Sequence, residues 1–335
     1  MNRRIATVRN SEGHALHCIL EEPAGGAAGA REAAVLLCPG IKTRVAPHRL
    51  YRKLAGSFLD RGIPVMRVDF RGLGDSEGEW PLDSLEAIYR STELGHCVDD
   101  ARSALDFLER QVGIRRFIVG GLCGGAITGL HLASQDRRVV GLYGIGLPTT
   151  LHGAGRKELD EIPRGELLAK RIRYLRKALQ PSSWLRLITL QSDFGLMRRI
   201  LVDGTRRPRR KAGERPALSI PGAPPPNSPP AADLNPALPG AVFAMLNAGC
   251  FALLIFGEND RQRWDFEEKF SGPWADALVP YGRLLSTAVI SGANHILGDP
   301  AAVAEANRVT GDWLEAQFGA TSVTRVGPEA ARLAA

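Results

Sequence analysis

The 335-residue chain has five cysteines, and one of them, Cys123, sits where nucleophilic chemistry needs a side chain. Around it, Phe117-Ile118-Val119-Gly120-Gly121-Leu122-Cys123-Gly124-Gly125-Ala126 is a β-branched run that ends in a Gly-x-Cys-x-Gly core and passes straight into a helical pattern. A turn this abrupt forces its central residue into strained backbone angles. Glycines two before and two after it keep the strand and helix from colliding. The side chain then projects at a helix N-terminus, where the macrodipole and free N–H groups favour thiolate over thiol. The plainer alternative is a glycine-rich turn around a buried structural cysteine, since free cysteine is commonly buried.

Two later segments carry groups that would activate such a thiol. Leu253-Leu254-Ile255-Phe256-Gly257-Glu258-Asn259-Asp260 places acids just after a buried strand, and Val289-Ile290-Ser291-Gly292-Ala293-Asn294-His295 places a histidine just after the next one. In a parallel sheet the loops at strand C-terminal ends share one edge, so Cys123, Asp260 and His295 can converge there. Glu258 and Asp265 are the other acids available to the histidine. An isolated histidine is more often a surface or satisfied core residue; the ordered set of three argues otherwise.

The elements that must position these groups follow from periodicity. The first 148 residues alternate short β-branched runs with longer helical patterns, the signature of an α/β fold with a mostly parallel sheet flanked by helices. Residues 5–9 and 15–20 read as a hairpin; 34–38, 65–69, 116–119 and 139–145 as strands; 48–60, 94–111 and 124–135 as helices. The alternation resumes with strands at 251–256 and 284–290 and a closing helix over 301–318. Residues 1–148 and 251–319 therefore form two parts of one core. Residues 149–250 interrupt it as a helical cap, with Leu167, Leu168, Ile172, Leu175 and Leu179 along one face. The ten prolines between Pro208 and Pro239 predict an irregular connector over about 205–239. Residues 320–335 read as a frayed tail.

Composition narrows the classes. The net charge of +7 includes +6 from seven basic residues and Asp203 between Arg198 and Lys211, leaving +1 for the rest. A single basic block without interleaved aromatics is a solvated segment rather than a nucleic-acid face. No apolar run spans a membrane and no signal peptide is evident. The scattered, odd-numbered cysteines suit reduced thiols in a cytoplasm and lack the spacing of a metal site or disulfide framework. The glycines at 120–125 lack the Lys-Ser/Thr ending of a phosphate loop, so neither metal nor cofactor is implied. Oligomeric state has no signature in the sequence.

The Gly-x-Cys-x-Gly turn and the order nucleophile, acid, histidine resemble the α/β-hydrolase superfamily with cysteine in place of serine. Asp69-Phe70-Arg71-Gly72-Leu73-Gly74-Asp75-Ser76 is similar to that superfamily's Asp-x-Arg-Gly-x-Gly-x-Ser turn, a structural rather than catalytic element. Leu37-Cys38-Pro39-Gly40-Ile41 matches its His-Gly segment, with Pro39 where the histidine stands. The resemblance implies an α/β-hydrolase fold with a cap, and an oxyanion hole from the N–H groups of Ile41 and Gly124. It covers residues 30–146 and 250–318. More loosely, residues 44–49, 121–123, 257–261 and 266–268 resemble the hydrolases found beside bacterial exosortase systems, which implies a substrate-facing Arg44 and His48; a solvated helix start is the plainer alternative for both.

The chemistry implied is covalent acyl transfer from a small-molecule substrate. Cys123 attacks a carbonyl, His295 moves the proton, Asp260 orients the imidazole, and two N–H groups hold the oxyanion. Thiolates attack unactivated amides poorly, so esters, thioesters and lactones rank above peptides. Dienelactone hydrolases and polyester synthases of this superfamily also carry cysteine elbows, which makes acyltransferase the alternative activity. A binding protein that kept the fold and lost catalysis is the alternative of another class.

Overall fold

The computed structural model describes residues 2–80, 84–153 and 220–319. Most of the expected cap, the basic block, the start of the proline-rich connector and the tail after 319 lie outside the described residues. The core is an eight-stranded sheet: β1 (Asn2–Arg9), β2 (Ala15–Glu22), β3 (Ala33–Leu36), β4 (Val65–Val68), β5 (Phe117–Leu122), β6 (Val139–Ile145), β7 (Phe251–Gly257) and β8 (Leu285–Ile290). Spatial order is β1-β2-β4-β3-β5-β6-β7-β8. The pairs β1/β2 and β2/β4 are antiparallel and the remaining pairs parallel.

Both faces of this sheet are covered, which is why its inner strands read as continuous apolar runs. Alternate residues go to opposite sides. Ala33 and Val35 of β3, Phe117 and Val119 of β5, and Ala252, Leu254 and Phe256 of β7 pack in one layer, whereas Ala34, Leu36, Ile118, Leu253 and Ile255 pack in the other. Helices α1 (Leu50–Leu59) and α8 (Pro300–Phe318) cover the second layer. The first is covered by α3 (Val98–Val112), α4 (Gly124–Ala133) and α5 (Ala237–Asn247). All ten residues of α4 are buried, so it is the central helix of its layer.

Three elements differ from the sequence expectation, each for a local reason. The helix expected from residue 48 starts at Leu50, because His48 and Arg49 have φ of 52° and 57° and form a separate turn with Pro47. The helix expected over 94–111 is α3 and starts only at Val98, because Gly95 at φ 93° breaks the chain before it. A separate helix that was not expected, α2 (Leu85–Glu93), precedes it, capped by the Ser84 hydroxyl accepting from Ala87 N–H. Helix α5 opens inside a proline-rich stretch. It tolerates Pro239 because the first turn of a helix has no intrahelical acceptors for its N–H groups.

After β7 come α6 (Arg261–Phe266), a π-turn over Glu267–Ser271 and the short α7 (Ala275–Leu278). The π-turn carries buried Lys269, whose ammonium meets Asp265 at 2.5 Å and Asp233 at 2.6 Å. Burial pushes the Asp265 carboxyl up, and Lys269 opposes that shift. Ahead of α5, residues 220–236 have no helix or strand. They dock on this segment, where Trp274 Nε1–H donates to the Pro224 carbonyl at 2.8 Å. Lys269→Met would remove the cation that two buried carboxylates share, leaving Asp265 only the more distant Arg261. It should destabilise the chain by about 3 kcal/mol or more, read as a lower urea midpoint.

Candidate active site

Cys123 stands between β5 and α4 with φ 52° and ψ −110°, a backbone that only an over-determined turn holds. Its N–H donates to the Ile145 carbonyl of β6 at 2.8 Å, and its carbonyl accepts the first helical bonds, from Ala126 and Ile127. It is half-buried, whereas Cys18, Cys38, Cys97 and Cys250 are buried. Burial pushes the Cys18 and Cys250 thiols up to about 12 and drives Cys38 and Cys97 upward too.

The acid and the histidine come from adjacent loops that are zipped together. Glu258 N–H donates to Ile290 and Asn259 N–H to Ala293, both at 2.9 Å. Asp260 divides its carboxylate between two tasks: Oδ1 caps α6 by accepting from Gln262 N–H at 3.0 Å, and Oδ2 lies 2.9 Å from His295 Nδ1. That leaves Nε2 of the ring unclaimed by the acid, and the Cys123 sulfur acts on the imidazole in the same direction as Asp260. Burial alone would lower the His295 pKa. The Asp260 carboxylate and the Cys123 sulfur outweigh it and push it up to about 10. Of the other acids within reach, Glu258 instead accepts from Gly292 N–H at 2.7 Å, and Asp265 pairs with Lys269. The carboxylate that meets the ring is that of Asp260.

The loop after β3 lies directly against the elbow. A methyl on Gly124 would fall 2.3 Å from Gly40 N, so these backbones are in contact. Lys42 N–H is taken by the Pro39 carbonyl at 3.3 Å, whereas Ile41 N–H has no acceptor among the described residues. The Gly124 N–H precedes the first helical bonds of α4. The segment that carries Ile41 thus lies against the turn that carries Gly124.

The two residues proposed to line the pocket behave differently. The Arg44 guanidinium is bonded to Asp69 and, at 2.7 Å, to Asp75, so its charge is engaged within the turn that follows β4. A substrate would have to share it with two carboxylates. His48 is exposed in its positive-φ turn.

Sequence reasoning missed several residues here. Gly146, at φ 57° just after β6, is one: a methyl there would come within 2.7 Å of the His295 ring and 2.9 Å of Asp260 Oδ2. A glycine directly after a buried strand, on the edge shared by the other loops, is a signal that was available. Tyr89 of α2 is another. Its ring stacks on His152 with centroids 5.1 Å apart, and a methyl on Gly40 would fall 3.3 Å from its edge. His152 is held in turn by the buried Glu93 carboxylate, which also accepts its N–H at 2.8 Å. Burial, with Cys123 acting in the same direction, raises the Tyr89 phenol. No sequence pattern marks these side chains, because the contact joins two distant segments.

A cysteine turn, an acid loop and a histidine loop at the C-terminal edge of a mostly parallel sheet, in that chain order, form the arrangement of an α/β hydrolase. The chain belongs to the alpha/beta hydrolase family, whose model matches residues 25–306. No curated protein matches it. Solved structures share the fold at low identity. A hypothetical protein from Pseudomonas aeruginosa is 17% identical with a TM-score of 0.53, over 94% of this chain and 93% of that one. An esterase from Pyrococcus furiosus is 13% identical with a TM-score of 0.51, over 94% and 92%. A lidless serine hydrolase from Xanthomonas campestris is 15% identical with a TM-score of 0.50, over 96% and 98%. No described helix is long and apolar enough to cross a membrane.

Two predictions follow from this geometry. Gly146→Ala should displace the imidazole and carboxylate and lower kcat on a p-nitrophenyl ester by on the order of 100-fold, with circular dichroism unchanged. The second concerns pH. A histidine whose pKa rises from 6.5 to about 10 on folding stabilises the fold fully below 6.5, and that stabilisation is lost as pH rises through about 10. Asp260→Asn weakens that shift, so the melting temperature of this variant should fall less steeply than wild type between those values.

Proposed function

We propose that this hydrolase cleaves a carboxylic ester, thioester or lactone through a covalent acyl-enzyme on Cys123. The observation that supports the reading is one imidazole, His295, bonded to the Asp260 carboxylate at 2.9 Å in the loop next to the strained elbow that carries Cys123. In this mechanism the Cys123 sulfur forms a bond to the carbonyl carbon, and the carbonyl electron pair moves to oxygen. The N–H groups of Ile41 and Gly124 hold that oxyanion. Collapse expels the leaving group, which takes its proton from His295, and leaves a thioester. Water then gives a proton to His295 and adds to the thioester, and the sulfur departs as the acid is released. Asp260 keeps Nδ1 protonated so that Nε2 can work in both directions.

Sulfur narrows the substrate class. A thiolate is the better leaving group of the tetrahedral adduct unless the competing group is itself good. Esters, thioesters and strained lactones therefore suit this site better than amides. Tyr89, beside the Gly40 turn, is placed to contact the acyl or leaving group. A free nucleophilic thiol also suits a reducing compartment such as the cytoplasm.

Iodoacetamide at pH 7 should alkylate Cys123 far faster than the four buried cysteines, as mapped by peptide mass spectrometry, and His295→Ala should slow that reaction at least tenfold. Equal rates at Cys123 and Cys250 would remove the activated nucleophile. Supplying a p-nitrophenyl ester with a competing alcohol or thiol separates hydrolysis from transfer: free acid alone is the expected product, and acylated acceptor would mark an acyltransferase.

A further inference from the structure

The parallel ladder between β3 and β5 stops one rung before its register would end it. Leu36 pairs with Gly120, and Leu37 N–H donates to the Gly120 carbonyl at 2.7 Å. In a parallel ladder a residue's N–H and carbonyl bond to positions on either side of its partner, so the next rung would join Leu122 N–H to the Leu37 carbonyl. A side chain from the covering helix occupies that rung instead. Leu122 N–H donates to the Tyr51 phenol oxygen at 2.8 Å, and the Tyr51 O–H donates to the Leu37 carbonyl at 2.6 Å.

This hydroxyl-bridged rung sits where the two halves of the anion site diverge. On one side Leu37 leads through Cys38, Pro39 and Gly40 to Ile41; on the other, Leu122 leads to Cys123 and Gly124. Tyr51 is fully buried and its surroundings leave no slack. A methyl on Gly121 would lie 2.2 Å from the phenol oxygen, and one on Gly125 would lie 2.4 Å from the Leu37 oxygen and 3.0 Å from the phenol oxygen. Burial raises the phenol's pKa well above its ordinary value, so the hydroxyl keeps the proton it donates.

We propose that Tyr51 is a positioning residue whose inserted hydroxyl sets the distance between the Ile41 and Gly124 N–H groups, and hence the fit of the oxyanion. The proposal rests on the reading of Cys123 as an acyl-accepting nucleophile. Phenylalanine at 51 keeps the ring and loses the bridge. The strand ends then either close onto a direct Leu122-to-Leu37 bond or stay apart with two buried groups unpaired. Both outcomes misplace the donors, and neither removes the thiol or its imidazole.

Two reactions of the same sulfur separate these effects. Alkylation by iodoacetamide displaces iodide from a saturated carbon and needs no oxyanion donors, whereas acylation by p-nitrophenyl acetate does. Tyr51→Phe should slow single-turnover acylation of Cys123 by at least about tenfold and leave its alkylation within about twofold of wild type. Leu54→Ala, a buried change on the same helix away from the rung, controls for lost stability; per folded molecule it should keep both rates. Should Tyr51→Phe fail to fold, Tyr51→His keeps a ring with a polar edge but cannot reach both strand ends, and the same acylation-specific loss is expected. If acylation is unimpaired in the variant, or both rates fall together, the role of Tyr51 is overturned. If wild-type Cys123 alkylates but never acylates, the underlying acyl-enzyme reading falls, and the proposal with it.

Discussion

At Cys123 the backbone is held at φ 52° and ψ −110°, a conformation that costs on the order of 1–3 kcal/mol and cannot persist unless its surroundings fix it from several sides. Here three sides are visible. The Cys123 N–H is tied to β6, its carbonyl receives the first bonds of α4, and the whole of α4 is buried against the sheet. Relaxing the turn would mean undocking the central helix of one layer. The fold thus supplies the strain energy of the site through apolar burial far larger than the strain itself.

The same logic explains why the acid and the histidine arrive in register. Strands β7 and β8 end at the same edge as β5 and β6, and the loops beyond them are joined by backbone bonds from Glu258 and Asn259. Asp260 then needs only one oxygen for the imidazole because the other is committed to the start of α6. A carboxylate fixed at two points has little rotational freedom left, which holds the ring in one orientation without relying on the exposed rim. The buried Lys269 cluster anchors the segment after α6 in turn, so the acid loop is clamped at both ends.

Much of this could be read in the sequence, because strand and helix periods and glycine spacing are local signals. The Gly-x-Cys-x-Gly turn, the two strand-ending loops and the parallel core all have such signals, and the observed strands lie within a few residues of the expected ones. What could not be read are contacts in which residues far apart in sequence share a few cubic ångströms. Tyr51 looks like any aromatic on the apolar stripe of Leu50, Leu54, Ala55 and Phe58, and only the sheet register reveals its hydroxyl as part of the ladder. Gly146 is one glycine among several until the His295 ring is set beside it. The partners of Arg44 are equally invisible: a free arginine and one bonded to Asp69 and Asp75 are spelled alike. Helix α5 was hidden by prolines that the first turn of a helix accepts without penalty.

Strand order also governs when chemistry becomes possible during synthesis. Strand β5, which leads into Cys123, lies in the middle of the sheet and is made early, whereas His295 follows the outermost strand β8 and is made more than 170 residues later. Domains fold largely as units while the chain lengthens, so the nascent polypeptide carries its sulfur for most of translation without a base beside it. The imidazole therefore reaches the edge that holds the sulfur only when the last strand docks and the closing helix covers its layer.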